Sequence, residues 1–281
     1  MVFFILFLSH LISDFLWQSR EMAERKVKSY KTAILHAFIH FVSTIVILFI
    51  CYLFTLKSVL FSFPIIATIA IISVFHFLLD TFGKRLLNKL FRNNVFFVFL
   101  ADQILHFMLL FVFTFLLVPN YRFGNIVDSI LVSNIIYKPL FMIILLLTFF
   151  MLLTCFTGHL IAKLFITLNH NKNDKESLEE VRVIEKTTND VTEITTEKIK
   201  YPVEVNEYGK WIGYCERIII FLLFFLQAYE GIAIIVALKT FARYQQLNQK
   251  NFVEKYLLGT LFSVMMAILF GILARAIFFI F

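Results

Sequence analysis

Residues 95–118 read VFFVFLADQILHFMLLFVFTFLLV. A helix rises about 1.5 Å per residue, so this run reaches across the roughly 30 Å hydrocarbon layer of a bilayer. Its apolar side chains would point in every direction, as in a helix whose solvent is lipid. Only Asp102 and His106 can ionise, and they stand four residues apart, one turn along the same helical face. An ionisable group at such depth costs roughly 2.5–3.5 kcal/mol on insertion scales, so each one needs a partner or a purpose.

The same texture recurs outward from this segment. Apolar runs at 2–17, 32–54, 59–82, 140–165, 218–238 and 256–281 join it, predicting an all-α, polytopic transmembrane bundle of about seven hydrophobic helices. The chain of 281 residues is 60% hydrophobic and has a mean hydropathy of +0.85, more apolar surface than one soluble core can hide. The first run has no basic stretch before it and no small-x-small cleavage site, and it carries His10 and Asp14, so it reads as structure. Cys51, Cys155 and Cys215 are far apart, which points to neither a zinc knuckle nor a disulfide framework. The net charge of +7 sits mostly beside the apolar runs, where topology and anionic lipid account for it and nucleic acid is not expected.

Basic residues in short loops face the cytoplasm. The first connection holds Arg20, Arg25, Lys26, Lys28 and Lys31, and the third holds Lys84, Arg85, Lys89 and Arg92. The second has Lys57 and the fourth Arg122 and Lys138, so the alternation places residues 169–210 in the cytoplasm too. That stretch carries ten acidic residues from Asp174 to Glu207 and little apolar bulk. It reads as a charged insert or linker, partly disordered, which offers a surface to a cytosolic protein partner. It separates a five-helix membrane unit, 1–168, from a two-helix unit, 211–281. The last loop breaks the pattern: Lys239, Arg243, Lys250 and Lys255 fall outside by simple counting, so either the 218–238 run does not fully cross or one segment is re-entrant.

The intramembrane polar groups come in pairs at helical spacing: His10 with Asp14, His36 with His40, His76 with Asp80 and Asp102 with His106. Each pair lies close to one of the two basic loops, so all four belong to the cytoplasmic half of the membrane at similar depth. HLISD and HAFIH in the first helical hairpin are echoed by HFLLD and DQILH in the second, a parallel pseudo-repeat around one shared site. Five imidazoles and three carboxylates form a ligand set for one or two divalent metal ions held between helices. Hydrogen bonds that only fix helix packing are the plainer reading of any single pair. His159, with Cys155 and Lys163 at four residues, reads as an ordinary interhelical hydrogen-bonding residue.

Gln18, Lys26, Lys28, Lys84 and Gln103 flank this cluster and are placed to meet a lipid headgroup or to anchor the helices. In the last unit, GKWIGYCER at 209–217 brings Glu216 and Arg217 to the membrane boundary in a similar supporting role.

The ordered set H-x3-D-F-x2-Q with a following Lys, then H-x3-H, H-x3-D-x3-K and D-Q-x2-H, resembles the bacterial family catalogued as domain of unknown function 3307. His10, Asp14, Phe15, Gln18, Lys26, His36, His40, His76, Asp80, Lys84, Asp102, Gln103 and His106 carry it, over about the first 120 residues. G-x2-I-G-x2-E-R with a downstream K-x3-R resembles the carboxy-terminal part of longer members. The resemblance implies a multi-pass protein of the bacterial cell membrane, and it brings no reaction with it.

Three function classes fit this reading. One is a metal-dependent enzyme acting on a lipid or isoprenoid-linked substrate, with Lys26 or Lys84 orienting the headgroup. A proton or metal-ion transporter would also need intramembrane acids and histidines, but the polar groups fill one half of the membrane only. The third is a structural or regulatory scaffold. No G-x-S-x-G, H-E-x-x-H or P-loop is present.

Overall fold

The computed structural model describes residues 2–55, 62–92, 94–118, 138–171, 179–188, 191–200, 207–248 and 250–280. The second and fourth connections, with Lys57 and Arg122, lie outside the described residues. The protein is a polytopic helical membrane protein. Among the described residues, five helices are long and apolar enough to cross a bilayer, and Val2–Trp17 is a shorter apolar helix.

Helix α1 is Val2–Ile12 continued by a π turn, Ser13–Trp17. A short α2, Arg20–Arg25, starts where the Ser19 hydroxyl accepts a hydrogen bond from the Met22 N–H at 3.1 Å. Helix α3 is Tyr30–Thr55. Helix α4 runs Phe63–Leu90 and contains a second π turn, Leu79–Gly83. Helix α5, Val95–Leu117, is capped by Asn94, whose side chain accepts from the Phe97 N–H. These four long elements close a ring in which α1 touches α3 and α5, and α4 touches the same two.

Helix α6 lies outside the ring against α1 and α5. It comprises Lys138–Met151, a third π turn at Leu152–Phe156, and Thr157–Asn171. The inner seam of the ring away from the basic loops is apolar, with Ile5, Leu6, Leu48, Ile69 and Leu110 buried. The outer faces carry exposed Phe38, Phe54, Phe63 and Leu116, which suits a surface solvated by lipid.

Contacts between loops place several segments at one end of the bundle. Arg85 donates to the Val27 carbonyl at 2.9 Å, which joins the first connection to the third. The Phe96 N–H donates to the Thr167 hydroxyl at 3.1 Å, bringing the end of α6 to the same level.

The apolar run at 218–238 is not one helix. Helix α7, Glu207–Phe225, ends in a tight turn, and α8, Tyr229–Ala242, folds back against it. The Ala228 N–H reaches the Leu223 carbonyl at 2.9 Å and the Gln227 N–H reaches Phe224 at 3.1 Å, with Gln227 at φ 65°. This is a Schellman stop with Gln in the left-handed position that glycine usually fills. Lys239 Nζ then lies 2.5 Å from Glu216 Oε2, side by side on the two limbs. The last helix, α9, Lys250–Ile280, packs parallel to α7, since Arg217 meets Ser263 near one end and Phe224 meets Gly271 further along. The out-and-back pair returns Lys239, Arg243, Lys250 and Lys255 to the basic end, which removes the conflict in the loop charges. The carboxy-terminal unit thus has three helices where two are expected from the sequence.

The insert also departs from expectation. Glu179–Thr188 (β1) and Val191–Lys200 (β2) pair antiparallel, with Thr188 opposite Val191. The strands are rich in Val, Ile and Thr, whose branched side chains favour extended backbone, and the high charge of the segment masks that pattern.

Candidate metal centre

The four predicted pairs come from four different helices of the ring and point into it. His10 and Asp14 are on α1, His36 and His40 on α3, His76 and Asp80 on α4, and Asp102 and His106 on α5. All of these side chains are buried, that of Asp14 being 6% exposed. At about 1.5 Å per residue they lie some 10–20 Å along their helices from the basic loops.

Asp14 is the hub. Its Oδ1 accepts from His36 Nε2 at 3.1 Å and His40 Nε2 at 3.0 Å, and its Oδ2 accepts from Gln103 Nε2 at 3.3 Å. His10 Nε2 stands 3.6 Å from Oδ2, too far for a hydrogen bond. Asp80 is the second hub: His36 Nε2 is 3.5 Å and His76 Nδ1 3.4 Å from its Oδ2, and Lys26 Nζ is 2.9 Å from its Oδ1. Lys84 Nζ is 3.6 Å from Asp102 Oδ2. The His40 and His76 rings are 3.8 Å apart and those of His76 and His106 4.4 Å, so the imidazoles form one packed group.

Three overlapping sets bring ligand atoms within 4.8 Å of one another: His10, Asp14, His40 and His76; His36, His76 and Asp80; Asp80, Asp102 and His106. His76 and Asp80 each belong to two sets. Many of these atoms are buried without a hydrogen bond: His10 Nε2, His36 Nδ1, both nitrogens of His76, Asp80 Oδ2 and His106 Nε2, while Asp80 Oδ1 has the Lys26 ammonium beside it. Buried polar groups are nearly always satisfied, because an unmade hydrogen bond costs about 1–3 kcal/mol. A divalent cation would satisfy several of these atoms together, and the donor set of imidazole and carboxylate suits one. His106 is already oriented for that role. Its Nδ1 lies 2.8 Å from the Asp102 backbone carbonyl, so Nδ1 carries the proton and Nε2 presents its lone pair. A cavity of ≈ 20 Å³ lies between His10, His40 and His76, bounded away from the basic end by Leu6, Ile69, Ile72 and Leu110.

Both hub aspartates sit in π turns, Asp14 in Ser13–Trp17 and Asp80 in Leu79–Gly83. The extra residue in each turn offsets the helical face just where the carboxylate enters the ring, a common feature of functional helices. The two repeats of the sequence thus share a local backbone device as well as a motif.

A hydroxyl network beside the cluster has no counterpart in the sequence reading. Ser9 Oγ lies 2.7 Å from Thr44 Oγ1 and 3.1 Å from Ser43 Oγ, and Ser13 Oγ lies 2.5 Å from Ser43 Oγ. It ties α1 to α3 and fixes how His10 and His40 face each other. The i, i+4 spacing of Ser9 and Ser13, the same spacing as the His and Asp pairs, is the signal that could have found it.

The flanking residues divide. Gln103, Lys84 and Lys26 contact the acids directly, and Lys26 is buried in the ring. Gln18 Nε2 is buried without a partner. Lys28 is exposed and has no contact with the cluster, and Glu216 and Arg217 belong to the other half of the molecule. His159 bonds its own helix, with Nδ1 2.9 Å from the Cys155 carbonyl, and its ring packs on Phe15 at 5.2 Å; no interhelical hydrogen bond forms.

No curated protein and no solved structure matches the chain. The family described as "Protein of unknown function (DUF3307)" matches residues 2–132, which take in all four helices of the ring and every residue of the His and Asp cluster. Over residues 2–132, just under half of its 281 residues, the chain is similar to the DUF3307 family.

Proposed function

We propose that this protein is a membrane-embedded, metal-dependent enzyme that acts on a lipid or isoprenoid-linked substrate from the basic side of the bilayer. The observation that carries the reading is the set of unbonded ligand atoms on His10, His36, His76, Asp80 and His106, gathered from four helices at one depth. Asp14, Asp80 and Asp102 bring three negative charges, and Lys26 and Lys84 bring two positive ones. With neutral imidazoles the cluster is formally −1, so one divalent ion would make it +1 and two would make it +3. One ion is close to neutral, and a second favours an accompanying anion such as a substrate phosphate. Bound metal would supply Lewis acidity toward a phosphoryl or carbonyl oxygen, or an acidified water.

Transport is the weaker reading. Beyond His10 and His76 the ring is filled by Ile5, Leu6, Ile69 and Leu110. The hydroxyls of Thr68 and Thr114 there donate to their own helix carbonyls, Pro64 at 2.7 Å and Leu110 at 2.6 Å. These side chains offer no polar path toward the other face.

The experiment is elemental analysis of protein purified in detergent without chelator, followed by assay in nanodiscs. Expected is about one divalent ion per chain, or two when an anionic ligand is present, lost in Asp80→Ala and His76→Ala. Phosphatidate and a polyprenyl diphosphate are the substrates to offer, and turnover of either should stop on chelation. Absence of stoichiometric metal would overturn the centre. Metal without turnover, together with metal flux into liposomes, would transfer the reading to a transporter.

A further inference from the structure

A second polar feature lies outside the His and Asp ring. Between α6 and α7 is a cavity of ≈ 390 Å³ whose lining includes Gly158, His159, Lys210, Gly213, Tyr214 and Arg217. Its volume falls in the range of small-molecule sites. Arg217 is buried at its inner end, level with the middle of α6.

The partners of Arg217 are all neutral. Nε donates to the Leu153 carbonyl at 2.5 Å, Nη2 to the Thr154 carbonyl at 3.4 Å and Nη1 to the Ser263 hydroxyl at 3.5 Å. The first two acceptors belong to the third π turn, which frees carbonyls from the helical ladder. Among the described residues no carboxylate pairs with Arg217. Glu216, its neighbour in the chain, is taken by Lys239. A buried guanidinium without a counterion is costly, and a second cation, Lys210, lines the same cavity with no carboxylate partner among the described residues. The backbone keeps the space open: a Cβ on Gly158 would come 3.1 Å from the Tyr214 ring, one on Gly213 would come 3.3 Å from Arg217 Nη1, and one on Gly209 would meet nothing within 4 Å.

We infer that this cavity binds a phosphate group, with Arg217 and Lys210 as its counter-charges. Lys210 stands toward the basic end, about 10 Å along α7 from Arg217. The cleft is therefore suited to the headgroup of an anionic lipid entering from that leaflet, and free phosphate shares the same chemistry. The inference is independent of metal in the ring.

The test uses the full chain in phosphatidylcholine nanodiscs, with thermal midpoint as readout and two probes, phosphatidate in the bilayer and inorganic phosphate in solution. Phosphatidate should raise the midpoint, and Lys210→Ala should weaken its apparent affinity roughly tenfold or more, as for loss of one charge-assisted contact. Gly209→Phe, which fills open space, should abolish the shift without lowering the midpoint in phosphatidylcholine alone. Lys28→Ala, an exposed change elsewhere at the basic end, should keep it. The same pattern with inorganic phosphate and not with phosphatidate would identify free phosphate as the occupant of the same site. A shift equal in all variants would mean general surface attraction and would overturn the inference, as would no shift with either probe.

Discussion

Lys26 Nζ and Asp80 Oδ1 meet 2.9 Å apart inside the helix ring, with side chains only 3% and 1% exposed. The lysine follows the short α2 in the first connection, and the aspartate sits in the π turn of α4, so this pair closes the basic end of the ring over the histidines. Its ammonium is a cation held against a carboxylate that would otherwise be free to ligate a metal ion.

Three outcomes follow from that pair. Lys26→Met should raise divalent-metal affinity, because the carboxylate loses a competing cation; titration calorimetry would show it as a lower dissociation constant. Asp80→Ala should destabilise the apo protein by about 3–5 kcal/mol, the cost of stranding a buried charge. Adding Lys26→Met to Asp80→Ala should recover much of that loss. Equal thermal midpoints for the single and double variants would show that Lys26 finds another partner.

Metal binding should weaken as pH falls. An imidazole that ligates must give up its proton, so each proton displaced on binding contributes about a tenfold loss of affinity per pH unit once protons compete. The measurement is apparent affinity from pH 8 to pH 6 by competition with a chelator of known proton linkage. A flat profile down to pH 6 would show that the buried imidazoles are already neutral there, whereas affinity that rises as pH falls would contradict ligation by the histidines.

The ring was legible in the sequence because its signals are local. His and Asp at four-residue spacing, inside apolar runs, fix both the helix and the face. Sequence shows which loop Lys26 belongs to and not that its long side chain turns inward to Asp80. The π turns at Ser13–Trp17 and Leu79–Gly83 leave no compositional mark. The break at Gln227 was hidden for another reason: no Gly or Pro interrupts 218–230, and the stop uses a Gln whose amide, turned with its oxygen toward α9, accepts from the Arg275 guanidinium.

The returning hairpin sets a labelling pattern. In a background without Cys51, Cys155 and Cys215, single cysteines at positions 28 and 243 should react with an impermeant thiol reagent from the same side of the membrane. Opposite labelling would mean that α7 and α8 do not fold back on one another.

Close packing holds that hairpin against α9. A Cβ on Gly271 would stand 2.6 Å from the Phe224 ring, and one on Gly231 would stand 2.9 Å from Leu223. Gly271→Ala should therefore lower stability by about 1–3 kcal/mol through overpacking. Phe224→Leu, in the same chain, should restore part of it by giving the new methyl room. An unchanged thermal midpoint in Gly271→Ala would show that Phe224 turns aside freely.

The β-hairpin gives the last prediction. Residue 179 pairs with 200 and 188 with 191, so the two strands pair along their full length, with alternate backbone groups bonded between them and the rest facing outward. A two-stranded hairpin alone is at best marginally stable in water, and its loss should cost the helical unit little. Removing 179–200 as a block deletes donors and acceptors together. The chain ends left at 178 and 201 should close as a shorter connection between α6 and α7. A deletion that stops inside β2, such as 174–196, leaves 197–200 as a strand without its partner, an edge prone to pair with another chain. The block deletion should insert, elute as a single species and keep the thermal midpoint of the full chain. The 174–196 deletion should insert as well but show more self-association. Failure of the block deletion to yield membrane-inserted protein would mean that the hairpin docks on the helices, and loss of metal with insertion intact would place it over the His and Asp ring.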